Sequence, residues 1–214
     1  MKSLALKIGR SSPSSLTSGQ TRIDRMASTR LLSRGEKVFR KGQSARQVYK
    51  VEIGCIRTFT HDRDGCRLVT GFYFPGDYFG LEMSGKHSVF AEAIAPSRIL
   101  VIGRKALFSA AETDNSVANG LLNITNLELQ RAQNHSLMLR SSAHERVARF
   151  LFELKKRNRR ADVDLHMSRQ DIADYLNLAM ETVSRALTQL EKVSTISFRT
   201  YRRITVRTRK RLAA

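Results

Sequence analysis

The sequence predicts an α+β chain: an N-terminal β-roll of jelly-roll type, a long central helix and a C-terminal winged helix-turn-helix. Three observations carry this. Short alternating or β-branched runs, punctuated by glycine, fill the stretch from about Leu31 to Ile102. From Asp114 proline is absent, and apolar residues recur at helical spacing. Finally, "MSRQDIADYLNLAMETVSRALTQLEK", Met167 to Lys192, reads as two short amphipathic helices joined by a tight turn, with an alternating basic segment behind it.

Bulk properties bound the reading. The 214 residues carry a formal charge of +19 and are 41% hydrophobic, enough for one large core or two small ones. No run approaches the roughly 20 apolar residues of a membrane span. Two cysteines, Cys55 and Cys66, make no secreted disulfide framework, so a reducing cytoplasm is the simpler expectation. The charge is uneven. Residues 1–41 carry ten Lys/Arg against two acids, residues 42–112 nine against seven, and the chain after Glu191 eight against none. Basic ends around a near-neutral middle suit a polyanionic partner.

Taken in order, residues 1–28 read as a disordered basic arm. They are Ser/Thr-rich and lack the apolar core of a secretory signal. Residues 29–112 form the roll. Gly54, Asp64-Gly65 and Pro75-Gly76 mark its turns, and Asp-Gly between "RTFTH" and "RLVTGFYF" signals a hairpin. "SRILVI" from Ser97 is a further strand. Residues 113–140 form one helix of roughly seven turns. Its periodic residues Leu121, Ile124, Leu127 and Met138 offer a seam for a second copy, with Glu128, Arg131 and His135 beside it. Residues 141–214 form the winged helix-turn-helix. They open with "HERVARFLFELKKR", which has apolar Val147, Phe150, Leu151 and Leu154 and a basic end.

Within the opening stretch of that last unit, Ser168 and Asp171 resemble a capping box. Asn177 supplies the left-handed conformation that a tight turn needs. The second helix buries Val183, Ala186, Leu187 and Leu190. Its other face carries Glu181, Ser184, Arg185, Thr188 and Lys192. An acid here is unexpected in so basic a chain. A carboxylate can accept from a cytosine amine, and an Arg fork fits the two acceptors of guanine. Glu181, Ser184 and Arg185 are therefore the candidate base readers. The alternative for Glu181 is a first-turn acid paired with Arg185. Ser168, Arg169, Thr182, Thr188, Arg199, Arg202 and Arg203 are candidates for the DNA backbone. "STISFRTYRRITVRTRK" alternates like two strands turning near Thr200-Tyr201, a wing.

On these residues the chain resembles the Crp/Fnr family of bacterial transcription regulators, from about Leu31 to Leu212. "VEIGCIR" and "PGDYFG" look like the glycine turns of the family's cyclic-nucleotide-binding-like roll. Glu-Thr-Val-Ser-Arg at 181–185 looks like the Fnr and FixK type, since Met180 and Ser184 stand where the catabolite-activator type has Arg and Gly. The resemblance implies an activator that binds a palindrome near TTGAT-N4-ATCAA as a homodimer and engages RNA polymerase. Nucleotide binders in the family carry Gly-Glu-Leu and then Arg-Ser. Here "FGLEMSGKHSVFAEA" alters the order at Gly80-Leu81-Glu82, and no Arg follows. A phosphate site without its Arg is disfavoured. An all-cysteine iron–sulfur cluster needs four ligands, and the chain has two. That leaves the FixK-like branch, which implies control of microaerobic, nitrogen-fixation or anaerobic-respiration genes without a cofactor.

The remaining residues carry blander readings. Cys55 and Cys66 lie outside any CxxC and read as structural thiols. His61 and His87 form no H-x-H or H-x-E cluster and read as surface or loop histidines rather than metal ligands. No nucleophile elbow or triad signature is present, so no enzyme is expected. Two alternatives remain: a regulator with an unrecognised effector in the roll, or a cupin-like protein with an incidental helical tail.

Overall fold

The computed structural model describes residues 13–82, 84–158 and 162–207. The basic stretches 1–12 and 208–214, and residues 159–161, lie outside them. The roll comprises β1 (Ser28–Leu32), β2 (Lys37–Phe39), β3 (Gln47–Ile53), β4 (Ile56–His61), β5 (Arg67–Tyr73), β6 (Tyr78–Phe79), β7 (Phe90–Ala93) and β8 (Ser97–Gly103). These pair as two four-stranded antiparallel sheets, ordered β1-β8-β3-β6 and β2-β7-β4-β5. Between the sheets Phe39, Val51, Ile56, Phe79, Ala91 and Ile99 form a dry core. The hairpin from β4 to β5 closes where Asp-Gly predicts it. Asp62 Oδ1 accepts from the backbone N–H groups of Asp64 (3.0 Å) and Cys66 (2.8 Å), an Asx turn. Gly54 turns β3 into β4 at φ +91°. A Cβ there would stand 2.5 Å from the Pro96 carbonyl oxygen, so only glycine fits.

Three elements depart from the sequence reading. Residues 13–25 of the expected disordered arm are a helix, α1 (Pro13–Arg25). It crosses the long helix where Gly19 meets the backbone of Ser116 and Gly120. A Cβ on Gly19 would lie 2.1 Å from the Ser116 carbonyl oxygen. Buried Ile23 and the Arg22–Asp114 ion pair complete the contact, and Asp24 pairs with Lys50 of β3. Low apolar content hid this helix, whose close backbone packing at Gly19 leaves no apolar signal in the sequence. The second is α2 (Arg104–Thr113), which buries only Leu107 and carries no periodic stripe to announce it. The third is β9 (Asp162–Asp164), which joins the wing.

The long helix α3 (Asn115–Met138) is capped by Asp114, whose side chain accepts from Ser116 N at 2.8 Å. The proposed dimer seam needs correction. Ile124 and Met138 are buried inside the protomer, and Leu121 packs in the same cluster as Ile23 and Ile102. Glu128 accepts from the Tyr73 hydroxyl at 2.6 Å, and Arg131 pairs with Asp77 and with Glu128. His135 stacks on Tyr175, ring centroids 4.1 Å apart. Of the seven residues, Leu127 alone is exposed, at 43%. The face left open holds Leu122, Thr125, Leu129, Ala132 and Ser136, all exposed and spaced three and four apart.

After α3 come α4 (Ala143–Asn158), β9, α5 (Arg169–Leu176), α6 (Met180–Lys192), β10 (Ile196–Thr200) and β11 (Arg203–Val206). The last three strands of the chain form one antiparallel sheet, β10-β11-β9. One continuous core runs from the roll into this unit. Phe72 of β5 meets Tyr175 of α5 at 5.2 Å and Phe150 of α4 at 6.0 Å. Among the described residues no helix is long and apolar enough to cross a membrane.

Candidate nucleic-acid interface

The helix pair is set by its own sequence. Ser168 caps α5 by accepting from Asp171 N at 3.0 Å, and Asp171 Oδ2 accepts from Ser168 N at 2.9 Å, so the capping box is complete. Asn177 ends α5 in the left-handed region (φ 51°, ψ 56°). Arg146 of α4 donates to the carbonyls of Leu176 (3.0 Å) and Asn177 (3.3 Å). It thereby satisfies the carbonyl end of α5 with a cation at the negative pole. Sequence reading passed over Arg146, whose partners lie some thirty residues on. In α6 Val183, Ala186, Leu187 and Leu190 are buried, which aims the opposite face at solvent.

On that face Glu181 and Arg185 are exposed and Ser184 is half-buried. Glu181 and Arg185 form no hydrogen bond or ion pair among the described residues. The i,i+4 pair that offered a structural explanation of Glu181 is therefore open. Arg169, at the start of α5, donates to Ser184 Oγ at 3.2 Å and lies 5.5 Å from the centre of the Tyr201 ring. Thr182 is half-buried, and the Thr188 hydroxyl donates to the Ser184 backbone carbonyl at 3.1 Å. The wing turn holds exposed Tyr201 and Arg202, as the alternation near Thr200-Tyr201 predicts. Arg199 donates to Thr205 Oγ1 at 3.2 Å. Arg203 does not stand free: it makes a two-pronged pair with Asp164 of β9, at 2.8 and 3.2 Å. That guanidinium holds the Asp164 carboxyl below its usual range.

Ion pairs fix this unit on the roll. Arg57 of β4 is 8% exposed and bridges Glu92 of β7 and Asp171 of α5. Arg67 of β5 pairs with Asp171 and Asp174. Asp171 therefore serves both the cap of α5 and the contact with the roll, a second role invisible in the capping motif. The roll itself holds a cavity of about 330 Å³ lined by Thr58, Tyr73, Gly80, Glu82, Ser88 and Glu128, among others. Among the described residues its lining contains two carboxylates and no Lys or Arg. His87 is buried rather than at the surface. It stacks on Phe39 at 3.5 Å, with Nδ1 3.2 Å from Glu82. His61 is exposed. Cys55 is buried, which pushes its thiol well up from the usual range, and Cys66 is exposed at the hairpin.

Two family models match the chain: a cyclic nucleotide-binding domain over residues 29–114, and a Crp-like helix-turn-helix domain over residues 145–214. Nitrogen fixation regulation protein FixK of Azorhizobium caulinodans is 41% identical over 85% of this chain and 76% of its own length. The FixK of Rhizobium meliloti is 37% identical over 80% and 79%. The chain belongs to the Crp/Fnr family, in its FixK-like branch. The structure of FixK2 from Bradyrhizobium japonicum superposes with a TM-score of 0.82, at 40% identity, over 86% of this chain and 94% of that one. These relatives are transcription regulators, and a Crp/Fnr helix-turn-helix binds DNA. In this FixK-like chain all of α3 falls between the two matched modules.

Proposed function

We propose that this protein binds a TTGAT-N4-ATCAA-like palindrome as a homodimer in the cytoplasm, and activates microaerobic, nitrogen-fixation or anaerobic-respiration genes by engaging RNA polymerase. The observation that carries the reading is the unpaired polarity of α6. Among the described residues Glu181 and Arg185 face solvent without partners, at the end of a helix of the kind that enters a major groove. Ser168, Arg169, Thr182, Thr188, Arg199 and Arg202 surround them as candidate backbone contacts, and the Asp164 pair makes Arg203 a weaker one. The second half-site comes from a second copy, joined through the Leu122–Thr125–Leu129–Ala132–Ser136 face of α3.

Binding is proposed to need no cyclic nucleotide, because the described lining of the cavity offers a phosphate no Lys or Arg and holds the carboxylates of Glu82 and Glu128, the latter already paired with Arg131. An uncharged or cationic effector in that cavity is the second reading, favoured by its size. Purified protein should shift the palindromic duplex in air without effector. Glu181→Gln should keep the helix but face a cytosine amine with a donor, losing about 1–3 kcal/mol of discrimination at one base pair per half-site. A preference profile unchanged in Glu181→Gln would return Glu181 to the status of a helix-end acid.

A further inference from the structure

Ser184 could enter a base contact in two ways. A hydroxyl has one donor and two acceptor sites, so the residue type leaves open whether it meets an acceptor or an amine. The surroundings of Ser184 decide between them. Arg169 reaches across from the first turn of α5 and donates to Ser184 Oγ at 3.2 Å. A guanidinium has no acceptor, so in this bond the Ser184 oxygen must accept. The Thr188 hydroxyl takes the backbone carbonyl of Ser184 and leaves its side chain alone. Arg169 is steadied from its far side by the ring of Tyr201, a wing residue 72% exposed. No carboxylate pairs with Arg169 among the described residues, so its charge acts undiluted on the hydroxyl.

We infer that Arg169 is a positioning residue that fixes Ser184 as a hydrogen-bond donor, so that Ser184 reads an acceptor on the base edge: purine N7, guanine O6 or thymine O4. The inference rests on the base-reading role proposed above. Its physics is polarisation. A cation donating to one lone pair draws density from the oxygen, strengthens the O–H as a donor and weakens the second lone pair. The same cation repels the hydrogens of an adenine or cytosine amine. Glu181 has the opposite polarity, since an ionised carboxylate only accepts. The face of α6 would then present an acceptor at 181 and donors at 184 and 185. Three elements that the sequence presents separately, the start of α5, the face of α6 and the wing turn, would cooperate in one contact.

The test uses the full chain, the palindromic duplex and every single-base variant of one half-site. Proteins are wild type, Ser184→Ala, Arg169→Met, the double variant and Glu181→Gln. Ser184→Ala should lose about three- to tenfold in preference at one base pair. Replacing the acceptor there, by a 7-deazapurine or a pyrimidine without O4, should cost the wild type the same factor and cost Ser184→Ala nothing more. Arg169→Met should lower affinity for all sequences, since a cation is lost, and also reduce preference at that same base pair. The double variant should lose no further preference. The inference is overturned if the Ser184 preference maps to a cytosine amine. It is equally overturned if Arg169→Met leaves the preference profile unchanged, or if the two substitutions lose preference additively. A flat profile in Ser184→Ala with a changed one in Glu181→Gln sinks this inference alone. Flat profiles in both sink the base-reading proposal itself.

Discussion

The helices α3 and α6 each bury one face and leave another open, but what they leave open differs in kind. The open face of α6 is polar: Glu181, Arg185 and Thr188 are exposed and Ser184 is half-buried. The open face of α3 is apolar at its strongest points: Leu122 is 62% exposed and Leu129 55%. Unpaired charge at the end of a short helix suits a hydrated polyanion whose groove offers donors and acceptors. Uncovered leucines at heptad spacing suit a matching apolar face. The charged residues Glu128 and Arg131 of α3 have turned the other way and are consumed at home, Glu128 on Tyr73 and Arg131 on Asp77. On the proposed function, one helix keeps its chemistry for DNA, and the other keeps its apolar area for a second copy.

The largest expected effect breaks the apolar half of this contrast. Leu122→Glu with Leu129→Glu places like charges across a two-fold axis and should yield a monomer by sedimentation. Operator affinity should fall about a hundredfold or more, because the second half-site no longer binds intramolecularly. Ile124→Ala, on the inward face, should instead lower protomer stability by about 2–4 kcal/mol and leave self-association of the folded protein intact. A dimer that survives the double Glu variant would remove the open face from the interface.

Arg57 sets where α6 stands, since it holds α5, and with it α6, against the roll. Arg57→Met strands the Glu92 carboxylate and leaves Asp171 with Arg67 as its one cation, in a largely buried setting, and should cost about 3 kcal/mol. Amide exchange should rise in α5 and in β4 together. Faster exchange in β4 alone would mean that the pair serves the roll only.

The contrast also explains what the sequence reveals and what it hides. In α6 the apolar residues have one place to go, so a single period separates core from ligand face. The capping box and Asn177 are local signals and are legible for the same reason. In α3 the inner face packs on the protomer and the outer face is proposed to meet a second copy, and Leu121, Leu122, Ile124, Leu127 and Leu129 crowd more than one stripe. Periodicity then finds the helix but cannot say which stripe meets the roll. The clamp from Arg57 and Arg67 to Asp171 spans more than a hundred residues, and nothing in the local pattern of β4 or β5 points to it. Nor does the sequence show that α1 docks through Gly19 and Gly120, where the signal is an absent side chain.

The wing sharpens the polar half. Arg202 is exposed at the turn, whereas Arg203 is neutralised by Asp164. Arg202→Ala should weaken binding to all DNA sequences and flatten the salt slope by about one unit. Arg203→Ala should change the slope by less than half as much, with a stability cost of about 0–1 kcal/mol from a surface pair. Equal slopes for the two would show that Arg203 leaves Asp164 to meet phosphate.

The smallest effect concerns how the two helices begin. The cap residue of α6, Ala179, offers no side-chain acceptor, while Asp114 caps α3. Hydrogen bonds from the Ser116 side chain and backbone, helped by Arg22, hold the Asp114 carboxyl down at about 2. An unfolded Asp titrates near about 3.9. The folded state therefore binds this proton more weakly than the unfolded state does. The stabilisation is complete above about pH 5 and is lost as pH falls through about 4 toward the folded value. Asp114→Asn keeps a capping oxygen without a charge to titrate. The melting-temperature difference between wild type and this variant should be constant from neutrality to about pH 5, then shrink as the pH falls toward 2. A difference that holds constant through that window would mean that the cap at α3 works by geometry alone, with no help from the charge that Arg22 and the helix pole favour.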